Sequence, residues 1–475
     1  MKQLLTLVLA GVFHLFHSAQ AQEPAGSTRR DSTRLAVTSH TLLSTDQVPF
    51  WLEMNRFGRV DDESPVQQLF VFDWQQALRN RQGKPFFDYG LTMTARIGEQ
   101  SKFYPEQYWG RFTAGSFYFL AGAKAEPVWA GGLSHTNGDL FQSNNARPLP
   151  RGELGLEKFS PFSSGWLSRF SVDARYAEYL LTDDRYIDHA QLHHKKAVIN
   201  YAASEALTVH VGLDHWVFWG GRSPDPEIGK IPGFKYYLRY VLGLDGGSDS
   251  PETDQQNIAG NQLGQSLIGL DLSQPGYELK VYYQHLFEDG SGFVFHNMQD
   301  GFWGLSLRQL KKDPFIERFV IEFVNTTDQS GQYHKNEPGT GAGEGRDDYF
   351  THGVYHSGFV AYNRMMGSPL FIPKIADGIS QGFESTRLRA IHGGISGYLS
   401  PQVNWEGKGT YARYYGNYED PFPRYRDLIS LEAGLHIRPK QKPISYGFRL
   451  GTDLGRHRYI GRSFGCEFSL QYQIR

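Results

Sequence analysis

The chain has one cysteine, Cys466, so it can form no internal disulfide and no cysteine-cluster metal site. Beyond its first two dozen residues it has no run of 18 apolar residues, which excludes a helical membrane protein. It also lacks an excess of one charge. Its 48 basic and 50 acidic side chains give a net charge of −2, without the basic surplus of a nucleic-acid binder. The glycine-rich stretch Gly339 to Gly345 has no Gly-Lys-Ser/Thr ending and so reads as a flexible loop, not a phosphate loop. Disorder is excluded as well, because 40% of the 475 residues are apolar and 15% aromatic.

The N-terminus reads as an address. Lys2 opens a short positive region, Leu4 to Phe16 is mostly apolar, and Ala19-Gln20-Ala21 offers a small-x-small cleavage site. Residues 1–21 are therefore expected to be a cleaved secretory signal peptide. With helical spans excluded, the exported chain is either a soluble β protein or an outer-membrane barrel.

Strand patterning favours the barrel. Phe464, Cys466, Phe468, Leu470, Tyr472 and Ile474 alternate with Gly465, Glu467, Ser469, Gln471 and Gln473. That period of two places an apolar row on one face and a polar row on the other, over the ~9–11 residues a tilted membrane strand needs. The same alternation recurs at Phe87–Arg96, Phe170–Tyr176, Tyr277–Gln284 and Ile429–Ile437. Soluble sandwich strands are usually shorter, about 5–6 residues. Short turns such as Gln274-Pro275-Gly276 and Ser400-Pro401-Gln402 alternate with long polar loops, the longest spanning 326–386. The fold class is thus an all-β outer-membrane barrel of antiparallel strands, sixteen of which are legible between residues 86 and 475. Residues 22–85 read as an N-terminal extension. Within it, Val66, Leu69, Phe70, Phe72, Trp74, Ala77 and Leu78 approximate a helical face behind Ser64-Pro65, predicting a helix that plugs the periplasmic mouth.

Few residues suggest chemistry. His193 and His194 are adjacent, so in a strand they point to opposite faces and cannot share an ion. His356-Ser357 has no third orienting group, and neighbouring residues rarely meet as base and nucleophile. No catalytic residue, metal site or cofactor is assigned. The strongest binding candidates are Asp214, Trp216 and Trp219, where aromatic faces and an acid close a strand beside a long loop. A second group, Tyr415, Tyr418, Arg424 and Tyr425, supplies rings and guanidinium groups of the kind that stack on and hydrogen-bond sugars. Packing at the barrel rim accounts for the tryptophan group equally directly. Lumen-facing Arg96, Arg175, Lys280 and Glu432 suit either an open channel or a salt-bridged, plugged interior.

Several stretches together resemble the Wzi-like capsule-assembly family of outer-membrane proteins, in particular its Bacteroidetes branch. They are Pro49 to Gly58, Asn144 to Pro148, His193-His194-Lys195, Gly212 to Gly221, Asp348 to Gly353 and Gly367 to Leu370. The resemblance spans roughly residues 45 to 475 and implies eighteen strands, which places the missing pair inside 326–386. It also implies a non-enzymatic surface lectin in the outer membrane of a Gram-negative bacterium. Its partners would be capsular or extracellular polysaccharide and outer-membrane lipid, and the barrel would be a monomer that does not bind nucleic acid. A porin-like channel and, more remotely, a hydrolase are the competing expectations.

Overall fold

The computed structural model describes residues 32–78, 85–251, 254–255, 258–288, 292, 295–332, 347–455 and 461–474. The expected signal peptide lies outside them. Eighteen antiparallel strands form one closed sheet. They are β1 (Ser32–Ser44), β2 (Val66–Leu78), β3 (Phe86–Ile97), β4 (Lys102–Ala114), β5 (Phe117–Ala123) and β6 (Pro150–Phe159). Next come β7 (Phe170–Leu180), β8 (Gln191–Ala202), β9 (Leu207–Trp219), β10 (Asn261–Gln274), β11 (Tyr277–Phe287), β12 (Gly301–Gln309) and β13 (Arg318–Asn325). Two small hairpins, β14–β15 (Val360–Ala361, Arg364–Met365) and β16–β17 (Pro373–Ala376, Ile379–Phe383), stand apart from the barrel sheet. The wall then resumes with β18 (Arg387–Ser400), β19 (Val403–Gly416), β20 (Pro421–Ile437), β21 (Ile444–Gly455) and β22 (Ser463–Ile474). It closes where β22 pairs with β1, from Leu35↔Ile474 to Ser44↔Gly465.

Closure leaves no edge strand, which is what lets a sheet stand in hydrocarbon. The alternation read from the sequence is realised on the wall. Ile429, Leu431, Leu435, Phe448, Leu450, Phe464 and Phe468 are exposed on the outer face, while Ser430, Glu432, Asp453 and Glu467 are buried on the inner one. Segments 45–65, 124–149, 220–260, 288–300 and 326–386 all leave the same end of the barrel. Tight turns at 115–116, 275–276 and 401–402 close the other end, where β1 begins and β22 finishes.

Three expectations are corrected. Residues 66–78 form β2, not a helix. Its inner face carries Leu69 and Val71, both buried, and Leu69 packs with Leu42, Val48, Leu52 and Val60. Apolar residues therefore occupy both faces of the strand and mimic a helical spacing. The barrel accordingly starts at Ser32, within the expected extension, and the missing pair is β1 and β2. Segment 326–386 contributes only the two small hairpins among its described residues. Gly115, whose φ is 60°, makes the tight turn between β4 and β5.

The lumen is filled from the long-loop end. The one-turn helix α1 (Phe50–Glu53) enters it from segment 45–65. There Trp51 Nε1 donates to Thr410 Oγ1 of the wall at 3.1 Å, and Phe50 N donates to Asp453 Oδ2 at 2.8 Å. Phe50 and Trp51 join Leu140, Phe141, Tyr349, Phe350, Phe359, Leu370 and Phe371 from the loops in one apolar core. This core packs against wall residues from Ala177 on β7 round to Leu428 on β20. Each such buried side chain contributes ~1.5–3 kcal/mol relative to exposure, so the plug is a packed core in its own right. Gly394 and Gly367 allow the close approach. A Cβ on Gly394 would lie 2.5 Å from Leu133 O, and one on Gly367 would lie 2.1 Å from Leu140 O.

Candidate functional site

Asp214, Trp216 and Trp219 sit at the long-loop end of β9, but on different faces. Asp214 points inward and is wholly buried. Its carboxylate meets His194 Nε2 at 2.8 Å, Lys196 Nζ at 3.2 Å and Gln265 Nε2 at 3.2 Å, and Lys196 also reaches Asp139 at 2.5 Å. Trp216 lies flat on His194, with ring centroids 3.6 Å apart and an interplanar angle of 7°. Trp219 faces outward and stacks on Tyr240 under the loop helix α2 (Tyr237–Leu242). His193 and His194 point to opposite faces as expected, His193 to Glu178 at 2.5 Å and His194 to Asp214.

The space beside Trp216 is a narrow cleft of about 60 Å³, lined by Phe57, Glu126, Gln142, Asn144, Arg147 and Trp216. Arg147 lies over the Tyr362 ring at 3.6 Å and over the Tyr104 ring at 4.7 Å. Below it, Glu126 bridges Arg151 at 3.1 Å and Arg175 at 3.0 Å. Burial alone would raise the Glu126 carboxyl, but Arg175 and Arg151 hold it down to about 2. Its lining comes from segments 45–65, 124–149 and 326–386 and from β6, β7 and β9, which no spacing in the sequence links.

The other four candidates lie across the barrel, around the hairpin joining β19 to β20. Tyr418 is anchored: its hydroxyl donates to Asp328 O at 2.7 Å, and Arg387 covers its ring at 4.0 Å. Tyr425 is 53% exposed, and the Arg413 guanidinium backs its ring at 3.8 Å. Asp427 fixes Arg413 at 2.8 Å. Arg426 lies over Phe422 at 3.8 Å. Arg424 is exposed and Tyr415 half-buried. The arrangement therefore offers aromatic rings held flat by guanidinium groups, which costs little conformational freedom when a ligand stacks on them.

The remaining lumen charges named from the sequence are paired. Arg96 faces Asp61 at 3.6 Å, Arg175 faces Glu126 and Glu153, Lys280 faces Asp271 at 2.6 Å, and Glu432 faces Lys408 at 3.1 Å. Ser357 Oγ accepts from Tyr186 N at 2.8 Å, and His356 lies against the Tyr186 ring with centroids 4.4 Å apart. The serine is thus held as a backbone acceptor and not against an imidazole base.

The model of the capsule assembly protein Wzi family matches residues 31–372, most of the chain. The chain belongs to the Wzi family. The Wzi stretches that suggested this meet inside the barrel. Asn55 Nδ2 donates to His135 O at 2.9 Å, Phe57 N to Asn144 O at 2.7 Å, and Asn145 Nδ2 to Met365 O at 3.0 Å. Among solved structures, the chain is similar to Wzi of Escherichia coli, described as an outer-membrane protein involved in group 1 capsule assembly and as a carbohydrate-binding β-barrel. That match has a TM-score of 0.58 at 15% identity, covering 98% of this chain and 87% of the other. OprD of Pseudomonas aeruginosa also matches, at TM-score 0.47, 9% identity and 95% and 96% coverage. OpdQ of the same organism gives 0.49, 8% identity and 94% and 99% coverage. No curated protein matched by sequence. This chain is therefore a Wzi-family outer-membrane barrel of eighteen strands.

Proposed function

We propose that the protein binds capsular or extracellular polysaccharide at its long-loop end and supports capsule assembly or retention without catalysing a reaction. In outer-membrane barrels the long loops face outward and the short turns face the periplasm, so the β18–β20 rim would meet the cell-surface glycan. The observation that carries the reading is the exposed Tyr425 ring, backed by Arg413 at 3.8 Å; the exposed Arg424 next to it in β20 projects to the opposite face of the rim. Ring faces stack on the CH-rich faces of sugars, and guanidinium groups bond hydroxyl or carboxylate substituents. Tyr415 and Tyr418 lie at the same hairpin between β19 and β20. Asp214 and Trp216 support it only from behind, by fixing the lumen wall. The packed lumen disfavours the porin alternative.

The test is direct binding of purified protein to polysaccharide isolated from the producing strain. Arg424→Ala with Tyr425→Ala is expected to weaken binding about tenfold or more, the loss of roughly one stacking and one charged contact. Binding unchanged in that double variant would remove the rim from the account.

A further inference from the structure

Low on β8 and β9 the outward row is apolar, with Ile199, Val211 and Leu213 exposed. Toward the long-loop end the outward row of β7–β9 turns polar. Glu178 on β7, His193 and Lys195 on β8 and His215 on β9 share that face, in the cross-strand pairs Glu178↔His193 and Lys195↔His215. Hydrocarbon against ionisable groups is costly. Segment 220–260 folds back along the outside of the wall and covers this row. Tyr237 OH donates to Glu178 Oε1 at 2.5 Å, and Lys195 Nζ donates to Val241 O. The Tyr237 ring also meets His193 edge-on, with centroids 6.0 Å apart. Tyr240 packs with Val217 and Trp219 of β9, and its carbonyl accepts from Gln262 Nε2 at 3.2 Å.

The cover is amphipathic. A single 3₁₀ turn, Phe234–Tyr236, runs into α2. At about 100° per residue, Phe234, Leu238 and Leu242 fall on one arc and Lys235 and Arg239 on the next, while Tyr240 and Val241 belong to the arc packed on the wall. The three arcs have three environments. Tyr240 and Val241 are buried. Lys235 and Arg239 are exposed, Lys235 pairing with Asp249 at 2.7 Å and Arg239 donating to Asp245 O at 2.8 Å. Phe234, Leu238 and Leu242 are 79%, 69% and 62% exposed, and Leu244 just beyond the helix is exposed too. This apolar arc adjoins the lipid-facing wall. Leu242 lines one groove with Phe119, Leu154 and Leu213, which are exposed on the outer face of β5, β6 and β9.

We propose that residues 234–244 are an interfacial anchor, a short amphipathic element whose apolar arc is immersed in the outer leaflet beside the barrel. Continuity with the lipid-facing wall decides the occupant. The acyl chains that cover Phe119, Leu154 and Leu213 also meet Leu242, and Leu238 and Phe234 follow it along the same arc. Lys235 and Arg239 have the length to carry their charges up to the head groups and water. On this side of the barrel the lipid boundary therefore runs along the cover and not along the wall, and the ionisable row beneath never meets hydrocarbon. The anchor is independent of the proposed glycan rim, since β7–β9 and β19–β20 lie apart on the barrel.

The test uses the full chain with Cys466→Ser, reconstituted in phospholipid vesicles and carrying one nitroxide label at a time. The labelled sites are Phe234→Cys, Leu238→Cys and Leu242→Cys on the apolar arc. Leu213→Cys reports the lipid-facing wall, and Lys374→Cys reports an exposed position on the β16–β17 hairpin. Collision with oxygen, which concentrates in hydrocarbon, is compared with collision with a water-soluble nickel chelate. Heat-modifiable gel mobility confirms that each variant is folded, and the three arc sites give the reading independently. The arc labels are expected to match Leu213, favouring oxygen, while Lys374 favours nickel. Arc labels that collide with nickel as freely as Lys374 would overturn the anchor. Arc labels shielded from both reagents, with spin–spin broadening that disappears on dilution with unlabelled chain, would overturn it in favour of a second copy of the chain.

Discussion

Glu322 is the most exacting point at which to break the plug. It lies on the inner face of β13, 1% exposed, and takes four hydrogen bonds. The donors are Ser134 Oγ at 2.6 Å, His135 N at 2.9 Å and Tyr282 OH at 2.6 Å, with the His135 ring at 2.6 Å from the second oxygen. Three of these contacts come from segment 124–149, which they hold to the wall. Glu322→Ala leaves those donors facing a buried void. Removing one side of such a buried charged arrangement costs about 3–5 kcal/mol. Because each 1.4 kcal/mol is a factor of ten, local opening of residues 130–141 should rise roughly a hundredfold to a few thousandfold. The barrel itself should stay closed, since its ladder hydrogen bonds are untouched. Amide hydrogen exchange in detergent micelles reads this directly, with Glu322→Gln as the milder control that keeps one acceptor oxygen. Unchanged protection of residues 130–141 in Glu322→Ala would refute the claim that this carboxylate anchors the plug.

Acid should loosen the same segment. The Glu126 carboxyl is held down to about 2 from an ordinary 4.5, so its contribution of about 3 kcal/mol is fully present above pH 4.5 and lost as pH falls toward 2. Limited proteolysis of segment 124–149 across that window checks it, and Glu126→Gln should flatten the dependence. Trp216→Ala should destabilise the lumen core by about 3–5 kcal/mol, seen as faster exchange around Phe359, which meets the Trp216 ring edge-on at 5.4 Å. Gly394→Val should displace Leu133, because the added Cβ would meet its carbonyl at 2.5 Å, and raise protease cleavage in 124–149. In planar bilayers the intact protein should show no steady conductance, with channel-like steps appearing only when the plug is released.

Where one face of a strand meets lipid and the other meets polar lumen, the sequence is readable. β22 shows this, with Phe464, Phe468 and Leu470 exposed and Glu467 buried. Where the plug presses on the wall, the inner face turns apolar and the period is lost. Leu69 on β2 packs with Leu52 and Val60 of segment 45–65, Val71 is buried on the same face, and so a strand passes for a helix. The plug itself is nearly invisible to periodicity, because it is built from irregular segments that meet only after the barrel closes. The Wzi-like stretches point to it all the same: Asn55, Asn145, His194 and Trp216 are lumen residues held by one another or by the plug backbone. The tyrosine and arginine positions on the β19–β20 hairpin were legible as residue types. Their pairing across strands, Arg413 with Tyr425 and Arg387 with Tyr418, was not, because it depends on strand register.

The central claim, retention of surface polysaccharide by the rim, is tested most directly by deleting the gene and comparing cell-attached with shed polysaccharide. Complementation should use the intact chain and the Arg424→Ala/Tyr425→Ala form. The account predicts an unchanged total with polysaccharide shifted into the medium, restored by the intact chain and not by the double variant. Identical attached and shed fractions with and without the gene would contradict it.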